Sequence, residues 1–219
     1  NRPLRFYAVG GDGTLAEVVN GACGFTGVEV GCVPVGSGND FVRNFENMEA
    51  FLDMERQMVG KAFPVDLLRC NGRYVINMIN IGLDCAAAET AQRLKGKMGL
   101  AGTLAYLGGV ADAFSKNQTT ILALETQEGM EFSGEYTLLA IGNGKYCGGG
   151  FKGVPKALPN DGLMDISLIQ KISRRTFLSL VNRYRKGTHL ESKRAGDLVT
   201  YIQCRKAWIR PQAGNLKFC

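Results

Sequence analysis

The sequence predicts an α/β region over residues 1–63, followed by a mostly antiparallel β region with a few helices over 64–219. Three observations carry that prediction. Two apolar strands each run into a glycine turn that opens a helix, at residues 4–21 and 28–41. A hairpin marked by Asn71-Gly72 follows, a dipeptide that closes two-residue turns because both positions accept a positive φ. Strand-type runs then recur at 119–127, 132–142, 163–170, 197–204, 205–210 and 214–219, with β-branched and aromatic residues bounded by turn formers.

In the first unit, Leu4 to Val9 lead into Gly10-Gly11-Asp12-Gly13-Thr14. Gly10, Gly11 and Gly13 leave backbone N–H groups open to close approach by an anion. The helix expected from Thr14 adds unpaired N–H groups and a positive dipole end. Asp12 would repel a bare phosphate, so a Mg²⁺ ion or a sugar hydroxyl between them suits it better. The same residues also make an ordinary tight turn. Gly11, Gly13 and Ala16 satisfy the loose G-x-G-x-x-A dinucleotide pattern, but with an acid where a pyrophosphate would lie. No G-x-x-x-x-G-K-[ST] loop occurs.

The second unit repeats the design. Val28 to Val35 form a strand that opens into Gly36-Ser37-Gly38-Asn39-Asp40-Phe41. Two such turns at neighbouring strand ends build one crevice in an open α/β sheet, with Asp12 and Asp40 facing it. Glu17 and Asn20 share one face of the first helix, for packing or for the crevice. Residues 46–60 read as an amphipathic helix with Phe51, Leu52, Met54, Met58 and Val59 on its apolar side, closed by Gly60-Lys61.

Past residue 63 the pattern turns to β. Residues 64–70 and 73–80 are expected to pair across Asn71-Gly72. Asp66 is then either a solvated edge group or a cleft residue. Helices are expected over 84–95 and 99–115. The second is rich in Gly and Ala, with Leu100, Leu104, Tyr106, Leu107, Val110 and Phe114 as either core or an apolar wall. Residues 173–187 form a helix with Ser173 as N-cap and Gly187 as stop. The loop before 163 carries Asp161, either a turn residue or one whose carboxylate converges with the Leu158 and Leu163 carbonyls on a hard cation. Asp165 starts the next strand.

Composition narrows the chemistry. The chain has 219 residues, 45% of them hydrophobic, and a mean hydropathy of −0.05. No apolar run is long enough to cross a bilayer, and no signal peptide is visible, so a cytoplasmic protein is expected. The seven cysteines are scattered without a C-x-x-C and read as reduced thiols. A single histidine, His189, in a basic, glycine-flanked segment, argues against a Ser-His-Asp triad and a His-rich metal site. Carboxylates and backbone amides must carry any catalysis, which phosphoryl transfer permits. The net charge of +6 is concentrated late: residues 170–219 hold 12 Lys/Arg against Glu191 and Asp197. That stretch, including Arg174, Arg175, Arg183, Arg185, Lys186, Lys193 and Arg194, is either a solvated surface or a face for anionic headgroups. Nucleic acid fits less well, because the cations are not interleaved with aromatics. The chain opens almost on a strand and closes on a strand-like run, so it reads as a fragment of a longer protein.

The motifs Gly10-Gly11-Asp12-Gly13-Thr14, Pro34-Val35-Gly36-Ser37-Gly38-Asn39-Asp40-Phe41 and Asn160-Asp161-Gly162-Leu163-Met164-Asp165 follow one another in this order. Over nearly its whole length the chain resembles the diacylglycerol kinase-like lipid kinases, the bacterial branch above all. The first motif is shared with NAD kinases; the other two are not. The resemblance implies a partial α/β nucleotide-binding domain, then a β-sandwich domain, with the active site in the cleft between them. It implies ATP and Mg²⁺ as cofactors and diacylglycerol or a related lipid alcohol as acceptor. It assigns Gly10, Gly11, Asp12, Gly13, Thr14, Glu17, Gly36, Ser37 and Asn39 to the nucleotide. It assigns Asp12, Asp40 and Asp66 to catalysis, Asp66 through a water-mediated Mg²⁺ network. A further Mg²⁺ falls to Asp161, Leu158 and Leu163, and the general base would follow Cys219. A peripheral enzyme at an anionic membrane surface is expected, with a homodimer left open. A soluble-metabolite kinase of the NAD kinase type and a non-catalytic nucleotide- or metal-binding module are the alternatives.

Overall fold

The computed structural model describes residues 3–83, 85–87, 90, 108, 112, 119–192 and 195–219. Strand β1 (Leu4–Gly10) pairs in parallel with β2 (Val28–Pro34), and helix α1 (Asp12–Ala22) connects them. α1 buries Leu15 and Val19 against Ala8, Cys32, Phe41, Val42 and Ile76. Its apolar residues recur at helical spacing, so one stripe faces the strands while Gly13, Thr14 and Glu17 stay exposed. Arg5 and Glu29 lie opposite each other across the two strands and bond at 2.7 Å. The same guanidinium donates to the carbonyls of Gln57 and Gly60.

The single helix expected over 46–60 is two pieces, a 3₁₀ turn Glu49–Phe51 and α2 (Met54–Val59). The Asp53 carboxylate accepts the Arg56 N–H at 2.9 Å, an N-cap that starts a new helix. The apolar stripe is not a buried face either: Leu52, Met58 and Val59 are 56%, 61% and 85% exposed. Only Phe51 joins the core.

The hairpin forms as β3 (Leu68–Cys70) and β4 (Arg73–Val75), with φ of 47° at Asn71 and 84° at Gly72. Residues 64–67 belong to no strand; the Asp66 N–H donates to the Pro159 carbonyl instead. The expected second arm breaks at Ile76-Asn77 and resumes as β5 (Met78–Gly82), which pairs with a different sheet. The break lets Asn77 serve other loops, as described below.

Strands β6 (Thr120–Thr126), β7 (Glu131–Gly142), β8 (Tyr146–Cys147), β9 (Phe151–Lys152) and β10 (Met164–Gln170) follow. Helix α3 (Arg174–Lys186), β11 (Val199–Cys204) and β12 (Ala207–Pro211) complete the described elements. The main sheet has the order β11-β10-β7-β6-β12, and β5 also pairs with β7; every pairing in it is antiparallel. β7 organises the sheet. Its first half pairs with β6, and its second half lies between β10 and β5. The expected strand 214–219 reduces to one bridge, Ile81 to Phe218.

Alternation along β7 and β10 splits their side chains between two cores. Leu139, Ile141, Ile166 and Leu168 join Leu122 and Leu124 on one face, which the β3–β4 ribbon covers through Leu68, Cys70 and Val75. Leu138 and Ile169 face the other way, toward Leu83, Phe151 and Tyr184 of α3. α3 matches its expected ends: Ser173 accepts the Thr176 N–H at 3.2 Å, and Gly187 takes the left-handed φ of 77°. The expectations for 84–95 and 99–115, with the apolar wall from Leu100 to Phe114, lie outside the described residues except at scattered helical positions. Lys193 and Arg194 lie outside them too.

His189 sits beneath α3, 2% exposed, 5.0 Å from the Tyr184 ring, with neither ring nitrogen hydrogen-bonded among the described residues. Burial lowers its pKa from 6.5 to about 4. The unfolded chain therefore takes up a proton first as pH falls, and stability is lost between pH 6.5 and about 4. The expected loss is about 3 kcal/mol. His189→Leu should flatten that part of a urea-denaturation pH profile; an unchanged slope would show that the imidazole is not held neutral.

Candidate functional site

The two glycine turns meet. The Val35 N–H donates to the Gly10 carbonyl at 3.0 Å. A Cβ on Gly36 would lie 2.3 Å from the Gly11 Cα, and one on Gly10 would lie 2.3 Å from Thr14 Oγ1. No side chain larger than hydrogen fits at either position, so the loops form a narrow backbone-lined crevice. α1 begins at its mouth. Gly11 is the N-cap and supplies no side-chain hydrogen bond, so the first-turn N–H groups and the positive helix end are not neutralised by a cap. That end has the polarity that suits an anion, with the Asp12 carboxylate in the same first turn.

Asp12 and Asp40 flank this crevice at Gly38. A Cβ there would meet Asp12 Oδ2 at 2.9 Å and Asp40 Oδ2 at 3.5 Å. Asp12 Oδ1 accepts the Phe41 N–H at 3.0 Å, so the first loop orients the second. Asp40 is 6% exposed. Its Oδ2 accepts the Gly149 N–H at 2.8 Å, while Oδ1 has no hydrogen-bond partner and Arg43 Nε lies 3.5 Å away. Burial pushes the Asp40 carboxyl above the ordinary carboxylate range; the Gly149 N–H opposes this, the Asp12 charge adds to it and Arg43 opposes it.

Asn39 braces the second turn. It adopts φ of 54°, accepts the Gly36 N–H at 3.0 Å and donates to the Pro34 and Gly36 carbonyls. Its side chain is consumed by the loop, which makes it a scaffold for the crevice. Asn20 is also structural: it exchanges hydrogen bonds with the Tyr74 backbone at 2.7 and 2.9 Å and pins the β3–β4 ribbon to α1. Gly13, Thr14, Glu17 and Ser37 are exposed around the mouth.

Asp66 does not share hydrogen bonds with the Asp12–Asp40 pair. Its Oδ2 accepts the Gly162 N–H at 2.7 Å, and Asp161 Oδ1 accepts the Leu163 N–H at 3.0 Å. Asp66 and Asp161 thus belong to one loop cluster, with Leu158 half-exposed beside it. Asp165 is the second residue of β10 and is fully buried, accepting the Tyr201 hydroxyl at 2.5 Å. Burial raises its carboxyl pKa, against the Tyr201 and Gln203 hydrogen bonds.

The sequence reading missed the clasp that joins the two parts of the chain. Gly148, Gly149 and Gly150 take positive φ in succession, 58°, 80° and 111°, and deliver the Gly149 N–H to Asp40. Asn44 accepts the Lys145 N–H at 2.7 Å and donates to the Phe41 carbonyl. Asn77 donates to the Tyr146 carbonyl at 2.8 Å, and Asn143 donates to the Asp66 and Ile76 carbonyls. Gly144 packs against this set so tightly that a Cβ would lie 2.2 Å from Asn77 Oδ1. The run Asn143-Gly144 followed by three glycines was the available signal.

Hard carboxylate oxygens beside a phosphate-type anion site are the donor set Mg²⁺ takes, since it binds through one or two carboxylates plus phosphate oxygens. Among the described residues no cluster of three or more His, Cys, Asp and Glu suited to a metal is present.

Comparison with known proteins agrees with this layout. Residues 77–216 match the family model of the YegS C-terminal NAD kinase beta sandwich-like domain, and residues 3–70 match the diacylglycerol kinase catalytic domain. A relative from Alcanivorax borkumensis named "Probable lipid kinase YegS-like" is 31% identical over 165 residues, covering 74% of this chain and 54% of the relative. The protein of Bacillus subtilis named "Diacylglycerol kinase" is 29% identical over 190 residues, covering 85% and 61%. The chain thus spans about half the length of the curated relatives it matches. A crystal structure of a diacylglycerol kinase from Bacillus anthracis superposes with a TM-score of 0.67 over 98% of this chain and 68% of that one, at 19% identity; that likeness speaks to the fold.

Proposed function

The chain belongs to the YegS-type, diacylglycerol kinase-like family of lipid kinases, and on that premise we propose that its protein transfers the γ-phosphoryl group of ATP to the hydroxyl of diacylglycerol or a related lipid alcohol. The observation that supports this most is the pair of touching glycine turns at the α1 N-terminus with Asp12 and Asp40 flanking Gly38. In this reading the backbone N–H groups of the first turn of α1, beside the Gly11–Gly36 contact, receive the nucleotide phosphates. Asp12 would hold a phosphate-bound Mg²⁺, whose contribution is to neutralise developing charge. Asp40, protected by burial and held by Gly149, sets the position of the second loop. Asp66 tethers the Asp161 loop to the clasp residue Asn143.

The test is the full-length protein with Mg²⁺-ATP and a panel of lipid alcohols in mixed micelles, with a phospholipid product as readout. Phosphorylation of a water-soluble acceptor without lipid would instead favour the NAD kinase-type reading, to which the match at 77–216 lends weight. Nucleotide binding without turnover on any acceptor would leave a binding module.

Mg²⁺ at Asp161 is a separate proposal. One Asp161 oxygen is used by the Leu163 N–H, and the carboxylate is exposed, so it can join the Leu158 and Leu163 carbonyls on a hard cation. Asp161→Ala is expected to remove part of the Mg²⁺-dependent rise in Tm and to leave nucleotide affinity within about twofold. Equal Mg²⁺ stabilisation of both proteins would refute it.

A further inference from the structure

α3 is built in two halves around its circumference. Leu180 and Tyr184 are buried, with Phe177 and Val181 packed on the same core. The opposite face carries Arg175, Leu178, Asn182, Arg185 and Lys186, all exposed. At 3.6 residues per turn, Arg174, Arg175, Leu178, Arg185 and Lys186 fall within about 120° of one another. The helix holds five cations and no acid. Arg175, Arg183, Arg185 and Lys186 make no ion pair among the described residues, so their charge is uncompensated there. Leu178 stands among them 71% exposed.

The location adds to this. The C-terminal end of α3 rests on β9: Tyr184 packs on Phe151, and a Cβ on Gly187 would meet the Lys152 side chain at 2.9 Å. β9 directly follows the three glycines whose middle N–H holds Asp40. The outer face of α3 is therefore carried by a rigid element one short ribbon away from the candidate crevice.

We propose that the outer face of α3 is the surface through which this protein docks on an anionic lipid bilayer, with Leu178 entering the headgroup region and Arg174, Arg175, Arg185 and Lys186 pairing with lipid phosphates. The choice of occupant rests on charge complementarity. Four cations around one apolar side chain, on a helix with no acid, match a flat anionic surface with an apolar interior. The inference builds on the lipid kinase reading only in giving the docking a purpose; its evidence is the helix itself.

The experiment is co-flotation of the full-length protein with phosphatidylcholine vesicles, with and without phosphatidylglycerol, over a salt series. Binding is expected only with the anionic lipid and is expected to weaken as salt rises. Arg175→Glu/Arg185→Glu should lower the partition coefficient at least about twentyfold. Leu178→Asp should lower it about fivefold or more. Arg175→Lys/Arg185→Lys should bind as wild type, and all variants should melt with it, since the positions are exposed. Binding that ignores anionic lipid, or that survives the charge reversal, overturns the proposal. So does salt-sensitive binding to duplex DNA with no preference for anionic vesicles. The flotation readout does not depend on turnover, so docking here together with no phospholipid product in the mixed-micelle assay would count against the kinase reading and leave this one standing.

Discussion

Asp12→Ala in the full-length protein is expected to lower kcat by at least about a thousandfold while the fold survives. The carboxylate lies on a loop at Gly38, beside the uncapped start of α1, where it can serve a phosphate-bound cation. Its carboxylate accepts the Phe41 N–H at 3.0 Å, and losing that bond costs about 1–2 kcal/mol. Asp12→Asn separates the two roles. The amide oxygen still accepts from Phe41, so Tm should return close to that of the wild type while activity stays lost. Near-normal kcat in either variant would remove Asp12 from the chemistry.

Gly36→Ala is expected to damage the crevice itself. The added methyl would sit 2.3 Å from the Gly11 Cα and 2.8 Å from the Gly11 N. Both are backbone atoms, so no rotamer change relieves the clash, and the two loops must part. We expect a loss of about 3 kcal/mol in stability and at least about a tenfold loss of nucleotide affinity, measured by calorimetry, because the N–H groups no longer converge. Gly21→Ala is the control. Its Cβ meets nothing within 4 Å in an exposed turn of α1, and it should gain roughly 0.5–1 kcal/mol. If Gly36→Ala bound nucleotide as wild type does, the contact between the turns would not be what shapes the site.

Local signals read well where a residue's role depends on its near neighbours. Ser173 and Gly187 bounded α3 because caps act over three or four residues. Asn71-Gly72 closed its turn because both residues tolerate positive φ. The strands of the main sheet were legible from their β-branched and aromatic runs bounded by turn formers, a signal contained within each run. The amphipathic stripe at 51–59 misled for the opposite reason: periodicity states which side is apolar, and packing decides whether anything covers it. Asp53 could cap its own short helix, and Met58 and Val59 found no partner.

By itself the sequence determined the two glycine turns, the placement of Asp12 and Asp40 on them, the α/β-then-β order of the chain, and the uneven distribution of charge. Each follows from covalent neighbours and short-range sterics. Only the tertiary structure decided that the turns touch, that Asp40 is buried under the Gly149 N–H, and that Asp66 pairs with the Asp161 loop. It also decided that Asn44 bonds the loop at Lys145 across the two parts of the chain, and that Asn77 and Asn143 tie the segment from Asp66 to Asn77 to the loop after β7. Those bonds join residues up to 109 positions apart. Their existence depends on how β7 is placed against β5 and β10, and on where that pairing leaves the loop that follows it. A buried polar group must find a partner, but which partner is a property of the packed chain.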